Sequence, residues 1–89
     1  MKNKIKVSVL IRSHNESKWI GICLNKINQQ TLKPYEILLI DNKSTDGTVE
    51  IAKTTNNKIK LHNYKDEYTP GKMLNFGISK SKGNYVLIL

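Results

Sequence analysis

Two patterns meet in the segment VSVLIRSHNE (residues 7–16), a β-branched apolar run and a polar turn directly after it. The run from Val7 to Ile11 predicts a buried β-strand, because β-branched side chains suit a pleated surface. Beyond the turn, where Asn15 or Ser17 is a candidate cap, apolar residues recur at the i, i+3, i+4, i+7 spacing of one helix face. These residues are Ile20, Cys23, Leu24 and Ile27. The segment therefore predicts a strand, a turn and an amphipathic helix.

The alternation of strand and helix patterns continues along the chain. Further strands are predicted at residues 37–40, 59–61 and 85–89, and further helices follow the capping residues 44–47 and 69–70. This order predicts an α/β fold, a Rossmann-like three-layer α/β/α arrangement with a mostly parallel sheet. Ligands of such sheets bind beyond the carboxyl ends of the strands. The polar turns at residues 12–16 and 41–46 are therefore the predicted functional site.

The chain stops at Leu89 on the apolar run 85–89, with no turn or polar residue after it. A finished domain seldom ends inside a buried strand, because termini usually lie at the surface. We expect residues 1–89 to be a single partial domain, the N-terminal part of a larger one, truncated after the fourth strand. The last strand would then have an open edge, and open edges pair with other chains. A homodimer through this exposed sheet edge is expected.

The net charge and the aromatic content of the chain indicate which classes of binding partner to expect. Fifteen basic residues against seven acidic ones give a net charge of +8, which favours anionic partners in general. The lysines are scattered along the chain, however, as on an ordinary solvated surface. Aromatic residues make up only 7% of the chain, and no basic stripe alternates with them, so nucleic acid is not an expected partner.

The cysteine content and the hydropathy of the chain bear on disulfides, metal sites and cellular location. The single cysteine, Cys23, excludes an intramolecular disulfide and gives no metal-binding spacing. No apolar stretch approaches the roughly 20 residues of a membrane helix, and no signal peptide is evident. We expect a cytoplasmic protein, with attachment to the inner face of the membrane as an alternative for a longer chain.

The first strand–helix turn contains no glycine, so the G-x-G-x-x-G dinucleotide fingerprint is absent, and no P-loop motif occurs. The turn instead offers a cation, a hydroxyl, an imidazole, an amide and a carboxylate at residues 12–16. That set suits hydrogen bonding and stacking against a nucleoside better than it suits wrapping a pyrophosphate.

Four segments, in order, resemble family 2 glycosyltransferases of the GT-A fold, the nucleotide-diphospho-sugar transferase fold. Residues 7–16 resemble the opening strand, and residues 36–48, with their S-T-D-G sequence, resemble the second strand and its loop. Residues 68–77 are similar to a segment that usually reads G-x-x-x-N-x-G, and residues 83–89 to the strand that leads into the metal-binding Asp-X-Asp motif. The resemblance covers nearly the whole chain.

The resemblance implies an activity for the parent protein. It implies an enzyme of the hexosyltransferase type in polysaccharide biosynthesis, which transfers a sugar from a nucleoside diphosphate sugar to a glycan or a lipid-linked acceptor. A UDP-sugar is the favoured donor. A divalent cation, Mn²⁺ or Mg²⁺, is implied, with its ligands expected just after Leu89. No metal ligand and no catalytic residue is expected within this chain, which by itself should be inactive.

The resemblance also implies roles for residues that bind the nucleotide sugar. His14 takes the position of an aromatic residue that stacks on the base, and Glu16 one that contacts the ribose or base. Asp41 and Asn42 take positions that accept hydrogen bonds from the base edge. Lys72 lies where a cation faces the diphosphate, aided by the dipole at its helix N-terminus.

Three residues depart from the usual family pattern. Arg12 is also expected to bind the nucleotide sugar, although it stands where proline or threonine is common in the family. Asn42 replaces a second aspartate, and Leu74 replaces an arginine. Because an amide both donates and accepts hydrogen bonds, the choice of base can differ from that of other members.

Structural roles are the alternatives for the same residues. His14 and Asp41 suit a turn, Glu16 suits the dipole of the following helix, and Asp46 is better explained as a helix cap than as a ligand. Burial preferences place Trp19, Met73 and Phe76 in the core.

Two other functional classes stay open at the level of sequence. A receiver-like signalling domain also ends a strand with an aspartate at the position of Asp41, but it needs acidic residues after the first strand, where Arg12, Ser13 and His14 stand. A basic nucleic-acid-binding module suits the isoelectric point of about 9.7.

Overall fold

The computed structural model describes residues 5–31 and 33–89, along which strands and helices alternate. The strands are β1 (Val7–Ser13), β2 (Glu36–Asp41), β3 (Lys60–Asn63) and β4 (Tyr85–Ile88). The helices are α1 (Ile20–Asn28), α2 (Thr48–Thr55) and α3 (Pro70–Lys80). The predicted order of elements is confirmed. In the described ranges, no helix combines the length and the apolar character that crossing a membrane requires.

The strands form one sheet in the order β3-β2-β1-β4, and every described pair is parallel. β1 pairs with β2 up to the register position Ser13↔Asp41 and with β4 up to Leu10↔Ile88. The chain moves outward from β1 to β2 and β3, and then crosses back to place β4 on the other side of β1. The strand order therefore reverses beside β1, which is where open α/β sheets bind ligands.

Successive side chains of a strand point to opposite faces of the sheet, so β1 contributes to two cores. On one face Val9 packs in a cluster with Leu24 of α1 and Ala52 of α2. On the other face Leu10 packs in a cluster with Met73 of α3. Helices cover both faces, and the predicted three-layer α/β/α arrangement is confirmed.

A buried carboxylate joins several segments at the amino edge of the sheet. Glu36, the first residue of β2, accepts hydrogen bonds from Ser8 Oγ at 2.6 Å, Lys60 Nζ at 2.8 Å and the main-chain N–H of Lys82 at 2.6 Å. Burial alone raises the pKa of Glu36, but the hydrogen bonds from Lys60, Ser8 and Lys82 outweigh it and lower the pKa to about 2. This network ties β1, β2, β3 and the segment before β4 together.

The start of α1 differs from the prediction. The helix begins at Ile20 with Trp19 in the N-cap position, and neither Asn15 nor Ser17 caps it. Trp19 is 64% exposed, so its predicted place in the core is wrong. It lies before the first helical turn and outside the apolar stripe of α1. Met73 is fully buried, as predicted, and the half-buried Phe76 packs against the same core.

The last strand is less buried than its sequence suggests. β4 has β1 on one side and no strand on the other within the described residues. Val86 packs against the α3 core, whereas Tyr85 and Leu87 are 62% and 50% exposed. The prediction of a buried strand is therefore wrong for β4, because α1 and α2 lie over the β1–β3 part of the face to which Tyr85 and Leu87 point.

Candidate functional site

The carboxyl edge of the sheet gathers three loops. They follow β1, β2 and β3, and comprise residues 14–19, 42–47 and 64–69. Since α3 starts at Pro70, directly after the third loop, the N-terminus of α3 lies at the same edge. All the predicted site residues therefore belong to one edge of the molecule, on or beside these loops.

Asp41 is a buried carboxylate at the end of β2, only 3% exposed. Its Oδ1 accepts hydrogen bonds from Ser13 Oγ at 2.5 Å and from Ser44 Oγ at 2.6 Å, and its Oδ2 accepts one from the main-chain N–H of Ser44 at 3.0 Å. No basic side chain of the described residues pairs with it. Asp41 thus caps its own turn, as the structural alternative predicts, and also fixes the end of β1 to the end of β2.

The first two loops are braced against each other by side chain to main chain hydrogen bonds. Asn15 exchanges two of them with the second loop, since its N–H donates to Ser44 Oγ and its Oδ1 accepts from the N–H of Thr45, both at 2.8 Å. The N–H of Glu16 donates to Thr48 Oγ1 at 2.9 Å. Asn15 has a φ of 55°, a left-handed conformation that asparagine tolerates better than most residues. The loops form one braced unit.

Asp46 is not the N-cap residue of α2, because Gly47 takes that position, but the Asp46 side chain joins the start of α2 to the first loop. Its Oδ1 accepts from the side-chain hydroxyl and from the N–H of Thr48, the first residue of α2, and its Oδ2 accepts from the N–H of Ser17 at 3.1 Å. The hydrogen bond from Thr48, with those from Ser17, lowers the pKa of Asp46 to about 2. The carboxylate therefore carries a charge throughout the neutral range.

His14 stands exposed above the end of β1 with its ring held in one orientation. Its Nδ1 lies 2.5 Å from the carbonyl oxygen of Asn42. Because a carbonyl oxygen only accepts, Nδ1 carries the proton, and in the neutral ring Nε2 is left as an acceptor. The ring also lies 5.7 Å from that of Tyr68, centroid to centroid, at an interplanar angle of 55°.

Asn42, 3% exposed, uses its side chain within the protein. Its Nδ2 donates to the carbonyl oxygens of Tyr64 at 3.0 Å and Asp66 at 2.8 Å. Both donors of the amide are thereby engaged, so only the amide oxygen is left for a ligand. Contact between Asn42 and a base edge stays a prediction, but the expected donor capacity of the amide is already used.

Arg12, Glu16 and Lys72 lie at this edge without joining the network through their side chains. Arg12 ends the α3-facing row of β1, and its Nε is buried without a hydrogen-bond partner in the described residues. Glu16 lies in the turn before α1, not in the first helical turn. Lys72 is exposed in the first turn of α3. The structure thus connects His14, Asp41 and Asn42, and places the other three around them.

Three residues of the site were missed by sequence reasoning. Ser13 and Ser44 hold the Asp41 carboxylate, and Tyr68 faces His14. Ser13 had a detectable signal, because it is a polar residue in the turn at residues 12–16, directly after the apolar run of β1. Tyr68 had none, since it belongs to the loop after β3 and reaches His14 only through the folding of the sheet.

Two further observations concern ligands in general. A cavity of about 870 Å³ lies at the opposite, amino edge of the sheet, lined by residues such as Tyr35, Glu36 and Lys60, away from the polar loops. Within residues 5–31 and 33–89, no three His, Cys, Asp or Glu side chains come together as a metal site.

Comparisons with known proteins agree with the geometry. The family model described as glycosyl transferase family 2 matches residues 8–89. A dolichyl N-acetyl-alpha-D-glucosaminyl phosphate 3-beta-D-2,3-diacetamido-2,3-dideoxy-beta-D-glucuronosyltransferase of Methanococcus voltae is 38% identical in an alignment that covers 92% of this chain and 27% of that protein. The poly(ribitol-phosphate) beta-N-acetylglucosaminyltransferase TarS of Staphylococcus aureus is 30% identical, over 96% of this chain and 16% of its own length.

Solved structures show the same fold. The crystal structure of S. aureus TarS 1-349 matches with a TM-score of 0.86 and 29% identity, over 96% of this chain and 27% of that one. Glucosyl-3-phosphoglycerate synthase from Mycobacterium tuberculosis, solved with Mn²⁺, UDP and glucosyl-3-phosphoglycerate, matches with a TM-score of 0.81 and 18% identity, over 96% of this chain and 33% of that one. At that identity the second likeness concerns the fold alone.

The chain spans between 14% and 29% of the length of the curated relatives compared with it. Within that span, the family match runs from Ser8, the second residue of β1, through β4, and the α/β fold matches GT-A glycosyltransferase structures. This decides among the three functional classes that the sequence left open. The chain belongs to glycosyl transferase family 2.

Proposed function

We propose that the chain binds the nucleotide of a nucleoside diphosphate sugar, with UDP favoured, as the donor-binding part of a glycosyltransferase of the hexosyltransferase type. One observation carries the proposal: the ends of β1 and β2 are locked together by the Ser13–Asp41 hydrogen bond and by the bond from His14 to the carbonyl of Asn42, each 2.5 Å. The imidazole of His14 and the buried carboxylate of Asp41 therefore lie at the carboxyl edge of the sheet, close to where the strand order reverses beside β1.

The chemistry of the edge suits the parts of a nucleotide. The exposed ring of His14 offers a face for a base. The lone pair that is left on Asp41 Oδ2 can accept one hydrogen bond from a base or, with Glu16, from a ribose. Arg12 and Lys72 supply positive charge for a diphosphate, which the N-terminus of α3 also favours. A phosphate oxygen would satisfy the buried Nε of Arg12, which otherwise lacks a partner.

Related proteins support the donor, the cation and the acceptor of this proposal. The M. tuberculosis synthase was solved with UDP and Mn²⁺, and a mannosyltransferase of Pyrobaculum calidifontis with GDP-Man and Mn²⁺. We therefore propose a divalent cation for the parent enzyme, held by residues outside this chain. The names of the TarS and M. voltae relatives support a glycan or lipid-linked acceptor and a place in polysaccharide biosynthesis. A cytoplasmic location, at the inner face of the membrane in a longer chain, stays a prediction.

The chain's two histidines allow a direct test, because His14 lies at the proposed site and His62 lies on β3 against Phe76. Imidazole resonances are followed by NMR while UDP, and separately ADP, is added with Mg²⁺. We expect UDP to shift the His14 signals in a saturable manner, to leave those of His62 unchanged, and to bind more tightly than ADP.

Two variants complete the binding test. Asp41→Asn should weaken UDP binding by roughly ten-fold, the usual scale for losing a charged hydrogen-bond acceptor. Glu50→Gln, which removes an exposed carboxylate from α2, is the control and should bind UDP normally. Absence of UDP binding to the wild-type protein, or equal shifts of both histidines, would contradict the proposal.

We also expect the 89-residue chain to show no sugar transfer by itself. The acceptor base and the metal ligands of the proposed reaction are assigned to sequence outside it. The measurement is the release of UDP from UDP-glucose and the transfer of labelled sugar to acceptor mixtures. Transfer above the uncatalysed rate by the purified chain would refute this expectation.

A further inference from the structure

Asn42 makes four hydrogen bonds at the carboxyl edge, and together they orient two neighbouring segments. Its main-chain N–H donates to the carbonyl of Ser13 at 2.8 Å. Its carbonyl accepts from His14 Nδ1, and its amide donates to the carbonyls of Tyr64 and Asp66. One nearly fully buried residue thus holds both the ring of His14 and the loop that follows β3.

That loop ends in a second exposed aromatic ring. Tyr64, at its start, is buried against Phe76 with ring centroids 5.5 Å apart and also donates its N–H to the carbonyl of Asp41 at 2.8 Å. In the loop between Tyr64 and the first turn of α3, the hydrogen bond from the Asn42 amide to the carbonyl of Asp66 holds the loop close to the end of β2. Two residues later Tyr68 lies against His14, and 46% of Tyr68 is exposed.

We propose that Tyr68 is a further ligand-contacting residue of the nucleotide site, which forms with His14 a two-ring wall for the base, and that Asn42 is the positioning residue that holds the two rings together. This proposal rests on the proposed function, since it specifies how the same site receives its base. It assigns Asn42 a role different from the base-edge contact that the sequence predicts.

The geometry favours a wall over a pair of stacked plates. The two rings are tilted by 55° and their centroids are 5.7 Å apart, which leaves no room for a base between them. Each ring keeps an outward surface, because both residues are exposed. A base lying across the pair would contact the face of one ring and the edge of the other, both favourable aromatic arrangements.

The chemistry of Asn42 explains why an amide stands where the family resemblance implies an aspartate. Two carbonyl oxygens, those of Tyr64 and Asp66, face its Nδ2 at 3.0 and 2.8 Å. Only a group with two N–H donors satisfies both. A carboxylate at this position would face two acceptors, so it would repel the loop and withdraw Tyr68 from His14.

The two roles of Asn42 make opposite predictions for Asn42→Asp. A base-edge acceptor keeps an acceptor after this substitution, and UDP binding should persist. A positioning residue loses both donors, and UDP binding should fall. The test uses the full chain, with UDP as the probe, and compares Asn42→Asp, Tyr68→Ala, Tyr68→Phe and the double variant Asn42→Asp/Tyr68→Ala.

We expect Tyr68→Ala to weaken UDP binding by roughly ten-fold, the scale of losing one base-stacking ring, and Tyr68→Phe to bind nearly as well as the wild type. Asn42→Asp should weaken binding to a similar degree and abolish the nuclear Overhauser contacts between His14 and Tyr68. The double variant should bind UDP about as weakly as the single variant with the lower affinity. Asn42→Asp and Tyr68→Ala both take the Tyr68 ring away from the site, so their effects should not add. Tyr35→Ala is the matched control, since Tyr35 is 49% exposed but lies at the opposite edge of the sheet.

The possible failures are distinguishable. If the wild type binds no UDP, the proposed function fails and the two-ring wall falls with it. If the wild type binds and Tyr68→Ala binds equally well, the wall alone is refuted. If Asn42→Asp binds like the wild type with the ring contacts intact, the positioning role is refuted. Chemical denaturation of each variant accompanies the titration, and a loss of binding that only follows unfolding counts against the proposal.

Discussion

Glu36 shows how a single side chain can make stability depend on pH. Its folded-state pKa of about 2 lies below the ordinary value of 4.5. A carboxyl group whose pKa is lowered by folding stabilises the folded state above its unfolded pKa, and this contribution disappears as the pH falls through the folded value. We therefore expect the free energy of unfolding to drop by roughly 2–3 kcal/mol between pH 5 and pH 2 through this residue. Urea denaturation at a series of pH values measures it.

Glu36→Gln is the variant that isolates this effect. The amide keeps the shape but loses the charge that faces Lys60, so we expect a loss of roughly 1–3 kcal/mol at pH 7. The difference between the variant and the wild type should shrink as the pH falls towards 2. A difference that stays constant from pH 7 to pH 2 would show that the Glu36 charge is not its source.

Trp19 and Met73 provide a contrast between an exposed and a buried large side chain. Trp19 is 64% exposed and Met73 is fully buried against the α3 core. Trp19→Ala should change the free energy of unfolding by less than about 1 kcal/mol, whereas Met73→Ala should lower it by roughly 2–5 kcal/mol. Trp19 is the only tryptophan, so Trp19→Ala removes the usual fluorescence signal of unfolding. The unfolding of both variants should therefore be followed by circular dichroism. Comparable losses for the two variants would contradict the burial described here.

At the scale of elements, the approach of α3 to the sheet depends on Gly77. A Cβ added there would meet the side chain of Leu10, with Cδ2 at 2.9 Å, and Ile40 Cγ1 at 3.0 Å. Alanine would favour the helix by about 1 kcal/mol, but overpacking costs roughly 1–3 kcal/mol. We expect Gly77→Ala to be destabilising on balance, by urea denaturation. Gly71→Ala is the control, because a Cβ at Gly71 meets nothing within 4 Å. If Gly77→Ala were more stable than the wild type, α3 would not need this close approach to the sheet.

The whole molecule exposes an apolar strip along β4, in which Tyr85, Leu87 and Leu89 are 62%, 50% and 49% exposed. The described part of the sheet pairs no strand with the outer edge of β4, and such edges associate. The comparisons give no support for a homodimer, so it stays a prediction. We expect the isolated chain to self-associate reversibly in sedimentation velocity experiments as its concentration rises.

Leu87→Lys tests whether β4 is the surface involved. A charge at this position should shift the chain towards the monomer, because it blocks pairing along the edge. Ile22→Lys, at a 52% exposed position on α1, is the control and should leave association unchanged. A wild-type chain that stays monomeric at the highest concentration would refute the prediction.

The amino-acid sequence by itself determined the order of the elements, the parallel α/β class and the position of the polar turns at residues 12–16 and 41–46. These features follow from local periodicity, from β-branched runs and from the rule that ligands bind at the carboxyl ends of parallel strands. The family resemblance rests on contiguous segments and was equally visible in the sequence. His14 and Asp41 were therefore identified before the structure placed them at one edge.

Only the tertiary structure decided which polar groups meet. The amide of Asn42 reaches Tyr64 and Asp66 across 22 and 24 residues of sequence, and Glu36 reaches Lys82 across 46. The carbonyl and N–H partners in these contacts belong to the main chain, which every residue carries, so no residue type marks them in advance. The exposure of Trp19 was decided in the same way, because where α1 begins depends on how the loops after β1 and β2 brace each other.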